Sequence, residues 1–522
     1  MKQYIYNKIK VTTIGLSTCM LLFGTCLLTA CDDYLDVSPS DQQTADQLFA
    51  NKAGFYTAAN GIYDALSGDN LYGKNLTWGA VDIMSKCYNN ASLAYSYNSL
   101  AQNSYTDAYA SPVLSATWGT AYETILAANL LIEQIDKQSG KLTQSEASNL
   151  KGEMLAVRAM LHLDMLRLFG PTPFNGLDQP AIPYNNSSDI YTHDLLTIAE
   201  ADSMILVDLN AAEELLKNDP IIENGPMMSE PTGAESVQQR YRQYRMNYYA
   251  VIGLKARAYT WIGDAKNGLD QAKRLIEDGT AQKWFPAIDP NKLLANTSNP
   301  DRVFSSEVLM GVYDKDRDKV FDNFFASDAP ATQRLQPYAS YLTATSGLFA
   351  HMMLGLETYD YRFQSQWEAA SGVGITGYVF TKYKSIAKPD ENDEDSEYYF
   401  AKMIPLVTMQ EMYYIACECD STIDGKVDWY NKARIRRGCY DLNMIGLAPM
   451  MATYWGYGYG NIFLSNEIRR ETWGTGQWFY FAKRQEIYPG YGVGFIYTYD
   501  NGSAGSTATY DVQPPLPAGE MK

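Results

Sequence analysis

The chain is short of the side chains that build metal centres and nucleophile sites. Three histidines, His162, His193 and His351, stand far apart in 522 residues, which argues against a histidine-built metal site. Seven cysteines give no disulfide framework, and Cys417-x-Cys419 is too tight for a zinc-binding Cys-x-x-Cys pair. Cationic side chains are scarce as well: 42 Lys plus Arg face 60 Asp plus Glu, for a net charge of −18. So acidic a surface repels phosphate backbones, so nucleic acid is not an expected partner. No Gly-x-Gly-x-x-Gly, Walker loop, His-Glu-x-x-His or Gly-x-Ser-x-Gly occurs, and neither catalysis nor a cofactor is expected. Strand-like alternation is rare, apart from short runs such as Gly377-Tyr378-Val379-Phe380.

What the chain does have begins with an address. Lys2, Lys8 and Lys10 precede an uncharged, mostly apolar stretch from Ile14 to Ala30, which is short of the roughly 20 residues of a membrane span. It ends in Leu28-Thr29-Ala30-Cys31, the pattern of a bacterial lipobox. Residues 1–30 therefore read as a lipoprotein signal peptide, with Cys31 the lipidated (palmitate-type) N-terminus of a mature domain over 31–522. Two or more acyl chains would anchor it stably. Cys87, Cys417, Cys419 and Cys439 then remain as buried free thiols.

The body reads as mainly α. Thr143-x-x-Glu146 is a capping box opening an apolar stripe that runs to Gly170-Pro171. Further helical patterns cover 192–217 and 247–278, the latter broken at Gly263-Asp264 into a hairpin. Others are expected at 402–419, 426–437 and 464–484. An N-terminal part over about 31–230 and a C-terminal part over about 240–522 are expected. Asp314-x-Asp316-x-Asp318 begins like a calcium loop, but Lys319 stands where the turn glycine belongs. The acidic run Asp390–Asp395 reads as solvated charge, and no metal site is expected.

Aromatic side chains are in surplus, with 41 Tyr, 18 Phe and 9 Trp. They gather in three stretches that read as long loops. Residues 87–106 carry no charge and mix Tyr88, Tyr95, Tyr97 and Tyr105 with asparagines. Tyr454–Asn461 and Tyr488–Tyr499 alternate rings with glycine. Flat rings beside short polar groups make a recognition surface.

Several helices resemble a known family. Val157-Arg158-Ala159-Met160 through Leu163-Asp164-Met165-Leu166-Arg167-Leu168-Phe169-Gly170, then Pro173, is similar to the "RA…DLLRLYG…P" helix of the SusD/RagB lipoproteins. Trp118 to Tyr122 with Asn129, Asp208-Leu209, and Leu254 to Tyr259 with Gly263-Asp264 resemble other helices of that family in the same order. So do Asn431-Lys432-Ala433-Arg434, Glu467 to Glu471 with Gly476 to Phe479, and the ending Pro515-Leu516-Pro517-x-x-Glu520. Thr475 and Tyr480 depart from the family, where many members have Glu and Asp.

The resemblance implies an α-helical fold on tetratricopeptide-like helix pairs with minor β structure. It also implies a surface-exposed, lipid-anchored outer-membrane protein that hands a nutrient to a SusC-like TonB-dependent transporter. A glycan is the expected ligand; a peptide, as for RagB-like receptors, is the alternative, and a surface glycoside hydrolase is a more distant one. Sugars present an apolar C–H face and a hydroxyl rim, which flat rings and short amides match. Trp78, Tyr88, Tyr95, Tyr97 and Asn98 are therefore the expected ligand contacts, with Tyr313, Tyr341 and Trp367 from the later region. Trp118 and Tyr122 lie in a helix motif and are expected in the core.

Overall fold

The computed structural model describes residues 45–89, 95–137, 140–191, 193–229, 237–295, 299–337, 349–351, 355–372, 375–386, 398–485 and 513–517. The signal peptide, Cys31, Tyr341, the acidic run 390–395 and the ring-rich stretch 488–499 lie outside them. The chain divides into two compact units, Met1–Phe55 and Tyr56–Lys522. In the first, the rings of Phe49 and Phe55 meet at 5.0 Å.

The second unit is mainly helical. Its named helices are α1 (Ala80–Met84), α2 (Tyr95–Ala101), α3 (Ala110–Lys137), α4 (Gln144–Phe169), α5 (Ile198–Leu215), α6 (Tyr248–Trp261), α7 (Ala265–Ile276), α8 (Met409–Cys419), α9 (Ile423–Ile435), α10 (Ala448–Gly456), α11 (Gly460–Thr472) and α12 (Gln477–Arg484). Neighbours in sequence pack as hairpins, α3 on α4, α6 on α7 and α8 on α9, and the pairs stack through α4–α5, α5–α6 and α7–α8. These are the helix pairs that the tetratricopeptide-like reading expects.

Helix α4 is the spine, buried almost all round from Leu150 to Phe169. The expected capping box is present: Thr143 Oγ1 accepts from the Glu146 amide at 3.2 Å, and Glu146 Oε2 from the Thr143 amide at 3.0 Å. At the other end the Lys483 ammonium donates to the carbonyls of Arg167, Leu168 and Gly170 at 2.7–3.0 Å, satisfying groups that a helix terminus leaves open. A spine buried on every side must pair its polar residues. Arg158 clamps Asp208 of α5 through two contacts of 2.6 Å, and Glu153 takes Arg242 at 2.6 Å.

Three helix expectations need correction. The pattern over 192–217 becomes helical only at Ile198, because Leu196–Thr197 pairs with Pro180–Ile182 and Thr197 then caps α5. The 402–419 pattern holds a strand, Met403–Thr408, ahead of α8: Pro405 has no amide to give a helix, and Ile404, Val407 and Thr408 are β-branched. The 464–484 pattern is two helices, α11 and α12, separated at Trp473–Gly476. Two stretches read as loops also contain helix. Tyr95–Ala101 forms α2, and Tyr454–Asn461 spans the end of α10 and the start of α11.

Strands β1 (Val308–Tyr313) and β4 (Met403–Thr408) pair antiparallel, from Val308 opposite Thr408 to Tyr313 opposite Met403. Gly311 permits the approach, since a Cβ there would stand 2.7 Å from the Ile404 carbonyl. Between them, β2 (Trp367–Gly372) and β3 (Ile375–Phe380) form a hairpin that includes the expected Tyr378–Phe380 run. The stretch from Gly279 to Lys402 is thus an insertion between α7 and α8, closed at its base by β1–β4. Cys87, Cys417, Cys419 and Cys439 are buried free thiols, as expected.

Candidate ligand-binding site

The turn-rich segment 67–79 and helix α1 fold back so that Asp82 is fully buried. Its carboxylate accepts the amides of Gly474 and Gly476 at 2.7 and 3.0 Å and the Tyr88 hydroxyl at 3.3 Å, tying this corner to the α11–α12 junction. Burial lifts Asp82 to about 7 despite these bonds. Tyr88 forms an isolated bridge with Pro337, and the Asn89 amide donates to the Gln336 carbonyl at 2.7 Å. Residues 72–105 and 313–337, far apart in sequence, therefore come together.

What meets there first is a ladder of rings. Trp78 packs on Phe324 and Phe325 with centroids 4.7 and 5.9 Å away, and Phe325 meets Tyr88 at 6.1 Å. Tyr88 meets Trp473 at 5.7 Å edge-on, Trp473 meets Trp367 at 5.2 Å, and Trp367 meets Phe380 at 5.0 Å. Three of the expected ligand contacts, Trp78, Tyr88 and Trp367, are thus brought together, but as core. They are 1%, 1% and 5% exposed, and a ring enclosed on both faces has none left for a sugar. Trp118 lies in the core as expected, and Tyr122 is half-buried with its hydroxyl on the Pro183 carbonyl at 2.9 Å.

Above the ladder lies a more open corner. Tyr97, 9% exposed, and Asn98 stand on α2, where the Gln102 side-chain amide donates to Asn98 Oδ1 at 2.9 Å. The Lys74 ammonium sits 5.9 Å from the Tyr97 ring centroid and 5.7 Å from that of Phe324, with Asp69 at 3.6 Å. Burial raises the Tyr97 phenol, partly opposed by Lys74, so it stays a hydrogen-bond donor. Tyr313, at the end of β1, is 53% exposed and braced edge-on by Tyr244 at 5.4 Å. Asp314, next to it, is raised by burial and then by the charges of Asp316 and Asp69. Tyr95 opens α2, its side chain outside the described residues, as Tyr341 is.

Asp69, Lys74 and Asp314 are the members that sequence reading missed. Only one signal pointed to Lys74: it lies between Tyr72 and Trp78, shortly before the charge-free run. The Tyr454–Asn461 rings mostly pack. Trp455 meets Tyr430 at 5.3 Å and Phe463 at 6.0 Å, and a Cβ on Gly460 would collide with the Trp455 ring at 2.0 Å. Tyr457 alone of that run is strongly exposed, beside Gly458 in a left-handed conformation (φ +87°).

Glu357, Asp360 and Cys439 approach one another closely enough to suggest a metal seat. The donors do not fit one. Glu357 is held by Arg434 and by Arg470 at 2.9 Å, and Asp360 by Arg362 at 2.9 Å and less. Burial, and then Asp360, keep the Cys439 thiol protonated. These residues belong to a buried ion cluster with Glu307, Glu467 and Glu471 opposite Arg436 and Arg437. Its five carboxylates balance five arginines. Burial alone would raise Glu307, but Arg436 and Arg437 outweigh it and hold it at about 2. The family-like motifs at Arg434 and Glu467–Glu471 supply this cluster, so their role here is structural.

Residues 33–228 match the family model SusD-like, described as starch-binding associating with outer membrane. Among solved structures, a SusD superfamily protein from Bacteroides vulgatus superposes with a TM-score of 0.55 at 19% identity, over 83% of this chain and 88% of its own. The fold of this chain is SusD-like. A laminarin-binding SusD-like protein matches at TM-score 0.51 and 13% identity, over 85% of this chain and 95% of its own. Surface glycan-binding protein A from Bacteroides fluxus gives 0.53 and 17%, over 84% and 89%. At such identities these structures share the fold. Among curated proteins, no relative matches. The Tyr480 ring carries the Arg167 guanidinium 4.0 Å above it, and Arg167 also pairs with Asp164. Among the described residues no helix is long and apolar enough to cross a membrane.

Proposed function

We propose that this protein is a lipid-anchored receptor on the outer membrane that binds a glycan and passes it, without turnover, to a SusC-like TonB-dependent transporter. The observations that carry the glycan reading are the Tyr313 ring, 53% exposed and braced by Tyr244, and the short amides of Asn98 and Gln102 on α2. A braced ring loses little freedom on binding, which favours affinity. The glycan-binding SusD-like neighbours support the same ligand class. The lipobox before Cys31 supports the anchor.

A glycan array run beside a peptide pool tests the ligand, with saturable glycan binding expected; binding confined to peptides would replace this reading. New reducing ends released from a bound glycan would overturn the absence of turnover. Cys31→Ala should release the protein from outer membranes and abolish palmitate labelling. Affinity-tagged protein from a detergent extract should bring down a large β-barrel partner.

A further inference from the structure

Tyr313 sits on the insertion, but the group that holds its ring does not. The short turn Arg242–Tyr244, just before α6, packs against β1. On one side this turn is fixed to the helical stack: the Arg242 guanidinium holds Glu153 of α4 at 2.6 Å and Asp219 at 2.7 Å. On the other side it is fixed to the insertion. The Gln243 side-chain amide donates to the carbonyls of Ser305 and Val308 at 2.8 and 2.6 Å, and that of Asn247 donates to Leu309 at 2.8 Å. Gln243 and Asn247 are both buried, so shifting the turn would leave buried donors unpaired.

Tyr244 ends this row. Its hydroxyl donates to the Tyr399 carbonyl, shortly before β4, and burial raises the phenol well above its ordinary value, so the donated proton stays in place. Its ring meets that of Tyr313 at 5.4 Å, with the two planes 89° apart. Among the described residues no other ring meets Tyr313. We infer that Tyr244 is a positioning residue: it sets the orientation of the Tyr313 ring, and through that ring alone the affinity for a glycan. The inference rests on the glycan reading of Tyr313. A ring free to turn about its side-chain torsions has to be ordered by the ligand, which for one side chain lowers affinity about two- to tenfold.

A double-mutant cycle on the full-length protein tests this, with maltoheptaose, laminarihexaose and cellohexaose as probes and calorimetry as the readout. Tyr313→Ala should weaken binding about fivefold or more. Tyr244→Leu should weaken it about two- to tenfold. Adding Tyr244→Leu to Tyr313→Ala should change affinity by less than about twofold, because the ring it orients is gone. Tyr244→Phe keeps the ring and should retain most of the affinity. A fluorotyrosine label at Tyr313 reads the brace without a ligand, and in Tyr244→Leu its fluorine resonance should move toward its value in the urea-unfolded chain. Should Tyr244→Leu unfold, a nuclear Overhauser contact between that fluorine and the Tyr244 ring, present before any glycan is added, reads the same brace in the labelled protein. Losses that add in the double variant, full affinity or an unmoved resonance in folded Tyr244→Leu, or absence of that contact would each overturn the inference. Unchanged affinity in Tyr313→Ala would instead remove the glycan reading of that ring, and the inference with it.

Discussion

Trp78 and Tyr313 are both aromatic candidates for ligand contact, yet one ring is sealed in the core and the other opens to solvent. Trp78 meets Phe324 and Phe325 and turns its indole N–H to the Gly73 carbonyl at 2.8 Å, so every part of it is used. Tyr97 is buried beside Lys74, whereas Tyr313, braced edge-on by Tyr244, leaves about half of its surface open. Ring content marks the neighbourhood of recognition, whereas distant partners such as Phe324 decide which rings remain available. Charged groups divide the same way: the arginine–carboxylate cluster is buried with its charges matched, and Asp202 is buried with neither oxygen paired.

The sharpest break in this comparison would come from Trp78→Ala. A sealed ring should cost about 3–5 kcal/mol of stability in denaturant unfolding. A small loss with a large fall in glycan affinity would move Trp78 to the ligand side. Asp202 tests the charged half, since burial and then Asp264 raise it to about 8 against an ordinary 3.8. The folded state holds that proton and the unfolded state releases it, so the associated stability is full below about 3.8 and falls as pH rises toward 8. Asp202→Asn should therefore stabilise by about 2–4 kcal/mol at pH 7.5 and by much less at pH 4, read from urea curves.

On the exposed side, Tyr97→Ala with Tyr313→Ala should weaken glycan binding by about 1–3 kcal/mol, with helical circular dichroism intact. The smallest effect is expected at Asp316, whose pair with Lys319 at 2.6 Å is solvent-exposed. Asp316→Asn should leave the urea midpoint where it is, and a measurable shift would show that exposure is a poor guide here.

The helical frame was legible because its signals are local. Thr143 and Glu146 cap one turn, and Gly263-Asp264 breaks one pattern, so no distant residue is needed to read them. The strand at Met403–Thr408 was hidden because its partner, Val308–Tyr313, lies some ninety residues away and its apolar run resembles a buried helix. The site was half legible for the same reason. The charge-free Tyr/Asn run located the corner, but Trp78 and Tyr88 could be assigned to the core only once Phe325 and Trp473 arrived from other parts of the chain.

The insertion from Gly279 to Lys402 leaves the chain and returns at nearly one point, because β1 and β4 are zipped together while α7 rests directly on α8. Its loops can lengthen or shorten between the residues that pair with the helices, Glu307, Glu357 and Arg362 among them, since closing a longer loop costs little once its ends are fixed. Tyr313 and Phe324, two of the rings at the proposed recognition corner, sit on this replaceable part, whereas Tyr97 sits on the portion before the spine. Descendants of such a chain can revise one jaw of the grip while inheriting the other.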